Sequence, residues 1–205
     1  GIGLEACGQI EEVGSEVSLF KVGDRVTHAS MPIGAYSEKQ VMPEEKLVSV
    51  PDGISDEVAS CITLKGITAE YLLHRAYPLK KGDKVLYHAA AGALGQILCP
   101  WANALGAEVI GTVGSKAKEE IAKKNGCHHV INYSEKNFVK EVEKIVGKDG
   151  IDVVYDGVGA KTFKGSIETL KIRGMMVAFG NASGYVDTLD IKKDINAKGL
   201  FFTRP

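Results

Sequence analysis

From Lys84 onward the chain alternates short apolar runs with helical ones. The apolar runs are KVLYHA (84–89), EVIGTV (108–113), HHVINY (128–133), IDVVYDGV (151–158), MMVAFG (175–180) and LFFT (200–203). Helical patterns fill 93–106, 116–125, 135–147 and 160–171, with a short one near 190–197. Strands joined through helices pair in parallel, and strands that are apolar on both faces must be covered on both. The alternation therefore predicts an α/β fold with a doubly wound parallel sheet, and six strands suffice for a dinucleotide-binding domain.

The first fifty residues follow another rhythm. Short strands are expected at 7–14, 24–29, 35–42 and 46–50, punctuated by Gly14, Gly23, Pro32, Gly34, Pro43 and Pro51. This is the pattern of a β-rich domain. Ser55 is placed to cap a helix that continues to Tyr77, and Pro78–Asp83 forms a polar connection. The expected division is 1–66 for part of a β-rich domain and 67–205 for the α/β domain. Both ends read as cut: no Met opens the chain, Gly1 falls in sheet-like sequence, and Pro205 follows directly on a strand.

Charge and cysteine usage narrow the partners. With 25 Lys and Arg against 26 Asp and Glu, the net charge of −1 supplies no global field for nucleic acid or an anionic membrane. No apolar run approaches the roughly 20 residues of a membrane span. Cys7, Cys61, Cys99 and Cys127 are scattered, without a C-x-x-C pair or a histidine at zinc-ligand spacing. They read as free thiols in a reducing compartment, which points to the cytoplasm. His28, His74 and His88 look isolated, and the sequence presents no Ser-His-Asp set.

The chemistry concentrates after the first α/β strand, where HAAAGALGQ (88–96) strips the chain of side chains. A pyrophosphate is held by backbone N–H groups at a helix N-terminus, and bulky residues would block its approach. The pattern Ala89-x-x-Gly92-x-x-Gly95 replaces the first glycine of G-x-G-x-x-G by alanine. About 20 residues further on, an acidic residue would bind an NAD ribose. Here the second strand ends in GTVGSKAK (111–118), with Gly114, Ser115, Lys116 and Lys118 and no carboxylate. A hydroxyl and two ammonium groups suit a 2′-phosphate, so NADPH is favoured over NADH.

The segments HAAAGALGQ, GTVGSKAK, VINY, VVYDGVG, MMVAFGNASG and FFTRP, in this order, resemble the zinc-independent quinone oxidoreductases. These form the zeta-crystallin-like branch of the medium-chain dehydrogenase/reductase superfamily. EEVGSEVSLFKVGDRV (11–26) resembles part of that family's GroES-like catalytic domain. The resemblance implies NADPH contacts at Ala93 and Leu94 beside Gly92 and Gly95, and a 2′-phosphate site at Gly114, Ser115, Lys118 and Tyr133. It places Val158, Phe179, Gly180, Asn181 and Ala182 along the nicotinamide half, with Thr68 and Tyr71 approaching from the connecting helix. Leu4 stands where zinc-dependent relatives carry a ligating histidine, and their four-cysteine lobe is missing after GDRV, so no metal is expected.

The implied activity is hydride transfer from NADPH to a quinone or similar conjugated carbonyl, with no catalytic residue assignable in this chain. An enoyl or alkenal reductase on the same fold is one alternative; a non-catalytic NADPH-binding protein, structural or RNA-binding, is another. The resemblance also implies a homodimer through the last strand, GLFFT (199–203). Two positions depart from the pattern: Gly157, where many relatives have serine, and Pro100, inside the first α/β helix.

Overall fold

The computed structural model describes all residues from Gly1 to Pro205. The chain forms two compact units, Gly1–Thr68 and Ala69–Pro205.

In the first unit, strands β1 (Glu5–Gln9), β2 (Arg25–Ala29) and β3 (Val48–Ser49) make an antiparallel sheet in that order. Glu5 faces Ala29 and Gln9 faces Arg25 across β1 and β2. Helix α1 (Asp56–Tyr71) is fastened to this sheet by polar ties. Arg25 donates to Asp56 Oδ1 at 2.6 Å and to the Ile54 carbonyl at 2.7 Å. Glu5 accepts from the Leu64 amide at 2.6 Å and from Lys65 Nζ at 2.5 Å. The strand expected at 35–42 does not form. There the chain bends on itself: the Ser37 hydroxyl engages the Gly34 and Lys39 carbonyls, and the Gln40 amide donates to the Pro32 carbonyl. The strand expected at 7–14 forms earlier in the chain, as β1, and the one expected at 46–50 contracts to β3, beyond which the Val50 amide still donates to the Arg25 carbonyl at 3.0 Å.

The second unit holds β4 (Lys84–His88), β5 (Glu108–Val113), β6 (His129–Asn132), β7 (Ile151–Asp156), β8 (Leu170–Ala178) and β9 (Phe201–Thr203). All pair in parallel, in the order β6-β5-β4-β7-β8-β9. The chain winds outward from β4 through β5 to β6, then returns to β7 and winds the other way. Alternate side chains serve opposite layers. Val85, Tyr87 and Val109 share a core with Leu98, Cys99 and Ala102 of α2 (Gly95–Ala104) and Ala122 of α3 (Lys116–Lys124). Leu86, Ile110 and Ile131 pack with Val142 of α4 (Phe138–Val146) and with Phe163 and Ile167 of α5 (Phe163–Thr169). This is the doubly wound sheet that the alternation predicts.

The helix expected to reach Tyr77 ends as an α-helix at Tyr71 and continues as a π-helical turn, Leu72–Ala76. The buried Tyr155 hydroxyl donates at 3.0 Å to the Leu72 carbonyl, which also accepts the Tyr77 amide at 3.3 Å. A second π-helical turn, Ile191–Ile195, replaces the expected helix near 190–197. Strand β8 starts earlier than expected, since Leu170 already pairs with Ile151 before a register shift. Lys198 closes the end of α5, donating to the carbonyls of Glu168 at 2.7 Å and Leu170 at 2.8 Å while pairing with Asp149 at 2.6 Å.

Pro100 lies within α2 on its exposed side, where it deprives the Gln96 carbonyl of a helical donor while Leu98, Cys99 and Ala102 are held in the core. Packing of the opposite face keeps the helix continuous. Pro100→Ala restores the donor and is expected to stabilise the protein by about 1–3 kcal/mol, read as a raised urea midpoint. An unchanged or lowered midpoint would show that the proline costs the helix nothing.

Candidate functional site

Three turns follow the carboxyl ends of β4, β5 and β7. Strand β4 sits between β5 and β7 at the point where the winding direction reverses, which is where open α/β sheets leave a crevice for ligands.

After β4, Ala89 adopts φ 61°, a left-handed conformation that a non-glycine residue enters at a cost of about 1 kcal/mol. The Gly92 amide turns back to the Ala89 carbonyl at 2.8 Å. The amides of Ala93, Leu94 and Gly95 then have no acceptor within the chain, and they open α2. Three successive free donors at the positive end of a helix form an anion cradle. Gly92 and Gly95 contribute differently. A Cβ on Gly95 would lie 2.4 Å from the Ala90 carbonyl oxygen, so this glycine lets the helix approach the strand end directly. A Cβ on Gly92 would meet only the Ala89 carbonyl, at 3.1 Å.

After β5, Gly114 and Ser115 lead into α3, and Ser115 occupies its cap position with the hydroxyl uncommitted. Lys116 and Lys118 are exposed and make no ion pair. Tyr133 lies over Gly114, where a Cβ would stand 2.8 Å from the phenol oxygen, and Ser134 donates to the Gly114 carbonyl at 2.7 Å. No carboxylate faces this turn through a hydrogen bond; Glu119 on α3 is engaged by Asn132. The arrangement suits a phosphate monoester.

After β7 and β8, two loops are laced together backbone to backbone. The Asp156 carbonyl accepts from Phe179 and Gly180, the Gly157 carbonyl from Ala182, and the Val158 carbonyl from Ser183. A Cβ on Gly180 would lie 2.6 Å from the Gly157 carbonyl oxygen. At Gly157 it would lie 2.8 Å from the Phe179 ring, so the ring fills the space where a serine would stand. The amides of Phe179, Gly180 and Ala182 are thus spent within the lacing, and that of Val158 is spent on the Asp156 carboxylate. Asn181 alone in this stretch keeps both its backbone N–H and its side-chain amide without a partner. Tyr71 packs against the same core as Ala91, Leu94 and Phe179, and burial raises its hydroxyl pKa. The Thr68 hydroxyl donates to the Leu64 carbonyl at 2.7 Å, leaving it only lone pairs to offer.

The structure corrects the reading of His88 as isolated. His88 is wholly buried, with Nδ1 2.8 Å from the Thr112 hydroxyl and Nε2 2.9 Å from the Ser166 hydroxyl. Ser166 in turn lies 3.0 Å from Asp156 Oδ2. Serine, histidine and aspartate therefore do meet, but with the serine in the middle and all three out of reach of a substrate, so they form no nucleophilic triad. Burial lowers the His88 pKa, against the opposing pull of Asp156, and holds the imidazole neutral. The signal for this cluster was present in YDGVGAKTFKGS, where Thr162 and Ser166 follow Asp156 by six and ten residues.

No group of three or more His, Cys, Asp or Glu side chains is placed to hold a metal ion. The four cysteines are unlinked, Cys99 and Cys127 being buried in the core. The residues around the crevice fit a phosphorylated dinucleotide, through the free amides after β4 and the unpaired lysines after β5.

The close approach at Gly95 generates a test. Gly95→Ala drives a methyl group into the Ala90 backbone and is expected to destabilise the protein by about 3 kcal/mol or more, measured by chemical denaturation. A loss below about 1 kcal/mol would mean that α2 shifts freely off β4.

Comparison with known proteins agrees with this geometry. The sequence pattern of the zinc-binding dehydrogenase family matches residues 93–204, and that of the alcohol dehydrogenase GroES-like domain matches residues 1–52. A 2-haloacrylate reductase from Burkholderia sp. is 48% identical over 100% of this chain and 62% of its own length. A quinone oxidoreductase from Pseudomonas aeruginosa is 46% identical over 100% of this chain and 63% of its own. The crystal structure of Escherichia coli quinone oxidoreductase complexed with NADPH superposes with a TM-score of 0.96 at 44% identity, covering 100% of this chain and 63% of that one. The chain thus spans a little under two thirds of the length of these relatives. With the family pattern running from residue 93 to 204, more than half of its length, the chain belongs to the zinc-binding dehydrogenase family within the medium-chain dehydrogenase/reductase superfamily.

Proposed function

We propose that this chain belongs to an NADPH-dependent quinone oxidoreductase that reduces a quinone or similar conjugated carbonyl without zinc. Residues 1–66 are part of its GroES-like catalytic domain and residues 67–205 its dinucleotide-binding domain. The observation that carries the reading is the pairing of three unspent amides, Ala93, Leu94 and Gly95, with a carboxylate-free, lysine-bearing turn one strand away. The names of the relatives support it.

The cradle after β4 receives the pyrophosphate, and Gly92 gives the turn its close path. Gly114, Ser115, Lys118 and Tyr133 surround the 2′-phosphate. Val158, Phe179, Gly180 and Ala182 form a rigid wall along the nicotinamide half, where Asn181 supplies the free donors. Tyr71 borders it from the end of α1. The bound cofactor supplies a hydride; the protein aligns it and excludes water. A second reading rests on the 2-haloacrylate reductase relative: an acceptor in which a C=C bond is conjugated to a carboxylate or carbonyl. Assay of quinones beside enones and 2-haloacrylates separates the two. The free thiols and the lack of a long apolar helix support a cytoplasmic location.

Strand β9 closes the sheet on one side, with Phe201 and Phe202 48% and 38% exposed. An apolar edge invites pairing, and we assign it to a two-fold dimer that continues the sheet.

Two measurements test these readings. Calorimetric titration should show NADPH binding more tightly than NADH, and Lys118→Ala should weaken NADPH about tenfold with NADH unchanged. Equal affinity for the two nucleotides would reject the 2′-phosphate site. Phe201→Glu should convert dimers to monomers in light scattering; dimers that persist would place the interface elsewhere.

A further inference from the structure

The carboxylate of Asp156, the last residue of β7, gathers its hydrogen-bond donors from the turn that follows it. It is fully buried, and its nearest basic group is the neutral imidazole of His88, 4.0 Å away. Oδ1 accepts from the Val158 amide at 2.8 Å, the Gly159 amide at 2.9 Å and the Thr162 hydroxyl at 2.9 Å. Oδ2 accepts from Ser166 at 3.0 Å and is also within reach of the Thr162 hydroxyl, at 2.7 Å. Removing a charge from water is costly even when hydrogen-bonded, and here that cost is set against four donors that an apolar residue of similar size would leave unsatisfied.

The placement of the group supplies a reason. With His88 neutral, one assignment makes every contact of the row a hydrogen bond: Thr112 donates to His88 Nδ1, His88 Nε2–H donates to Ser166, and the Ser166 hydrogen is shared between Asp156 Oδ2 and the Thr162 carbonyl at 2.9 Å. Thr112 is the next-to-last residue of β5, His88 the last of β4 and Asp156 the last of β7. Each therefore stands directly beneath one of the three turns described above. The chain ties together the ends of the three strands on which those turns are built. At Asp156 it reaches the turn itself, because two of the donors are the turn's own amides. Through the Asp156 and Gly157 carbonyls the same hold extends to Phe179, Gly180 and Ala182.

We infer that Asp156, oriented by Ser166 and His88, is a positioning residue that fixes the 157–159 turn and the 179–184 loop in the shape that receives the nicotinamide end of the cofactor. The inference rests on the proposed NADPH site. It predicts an effect confined to one half of the cofactor, since the turn borders the nicotinamide and not the adenosine 2′-phosphate.

The test is titration of the full-length protein and its Asp156→Asn and Ser166→Ala variants with NADPH and, separately, with adenosine 2′,5′-bisphosphate, which lacks the nicotinamide half. Asparagine keeps the shape but turns an acceptor for Ser166 into a donor. Asp156→Asn should weaken NADPH about tenfold while the bisphosphate changes less than about twofold, with Ser166→Ala showing the same split at smaller amplitude. A merely structural role would weaken both ligands together. Equal losses, or none, overturn the inference while leaving the NADPH site standing. Failure of the unmodified protein to bind NADPH overturns the proposed site and this inference with it. Should Asp156→Asn not fold, the split or its absence in Ser166→Ala decides the matter.

Discussion

The direct contact of α2 with the ends of β4 and β5 is the constraint on which the second unit depends. Ala90, Gly95 and Gly111 meet where no larger side chain fits: a Cβ on Gly111 would stand 2.6 Å from that of Ala90 and 2.7 Å from the Cys127 sulfur. With the helix seated this low, its first amides open at the level of the strand ends. Had ordinary side chains at Gly95 and Ala90 held the start of the helix off the strand end, those donors would face solvent above the crevice rather than its floor. The same approach carries Leu98 and Ala102 into the core against Val85 and Tyr87. Binding capacity and packing thus arise from one steric fact.

Below the sheet the constraint is polar. His88 occupies a position where the alternation of β4 calls for an apolar residue, on the same layer as Leu86, and it is edge-on to Phe138 at 5.1 Å. The turns of the crevice are therefore supported from beneath by hydrogen bonds of defined direction rather than by dispersion contacts, which tolerate sliding.

The second unit was largely legible in the sequence because burial on both faces leaves continuous apolar runs, and all six were placed near their observed positions. The first unit was less so. Residues 35–42 alternate as a strand should, yet a strand exists only if a neighbour offers an edge, and Ser37 and Gln40 satisfy the local backbone first. The turns after β4 and β5 were readable from their small residues and lysines. The cluster at Asp156 was only partly so: Thr162 and Ser166 lie close to it in sequence, but His88 and Ser166 are 78 residues apart and meet only through the crossover that places β7 beside β4. Nor did the sequence show that most amides of the 179–184 loop are already committed, which singles out Asn181 among its neighbours.

The lysines after β5 sit on the exposed first turn of α3, whereas the supports of the other two turns are sealed inside the fold. On the proposed site, discrimination between the two forms of the dinucleotide is modular: substitutions at Ser115, Lys116 or Lys118 disturb no core contact and no member of the buried chain. A lineage built on this scaffold is free to exchange one electron-donor pool of the cell for the other by surface changes alone, while the geometry of reduction stays inherited.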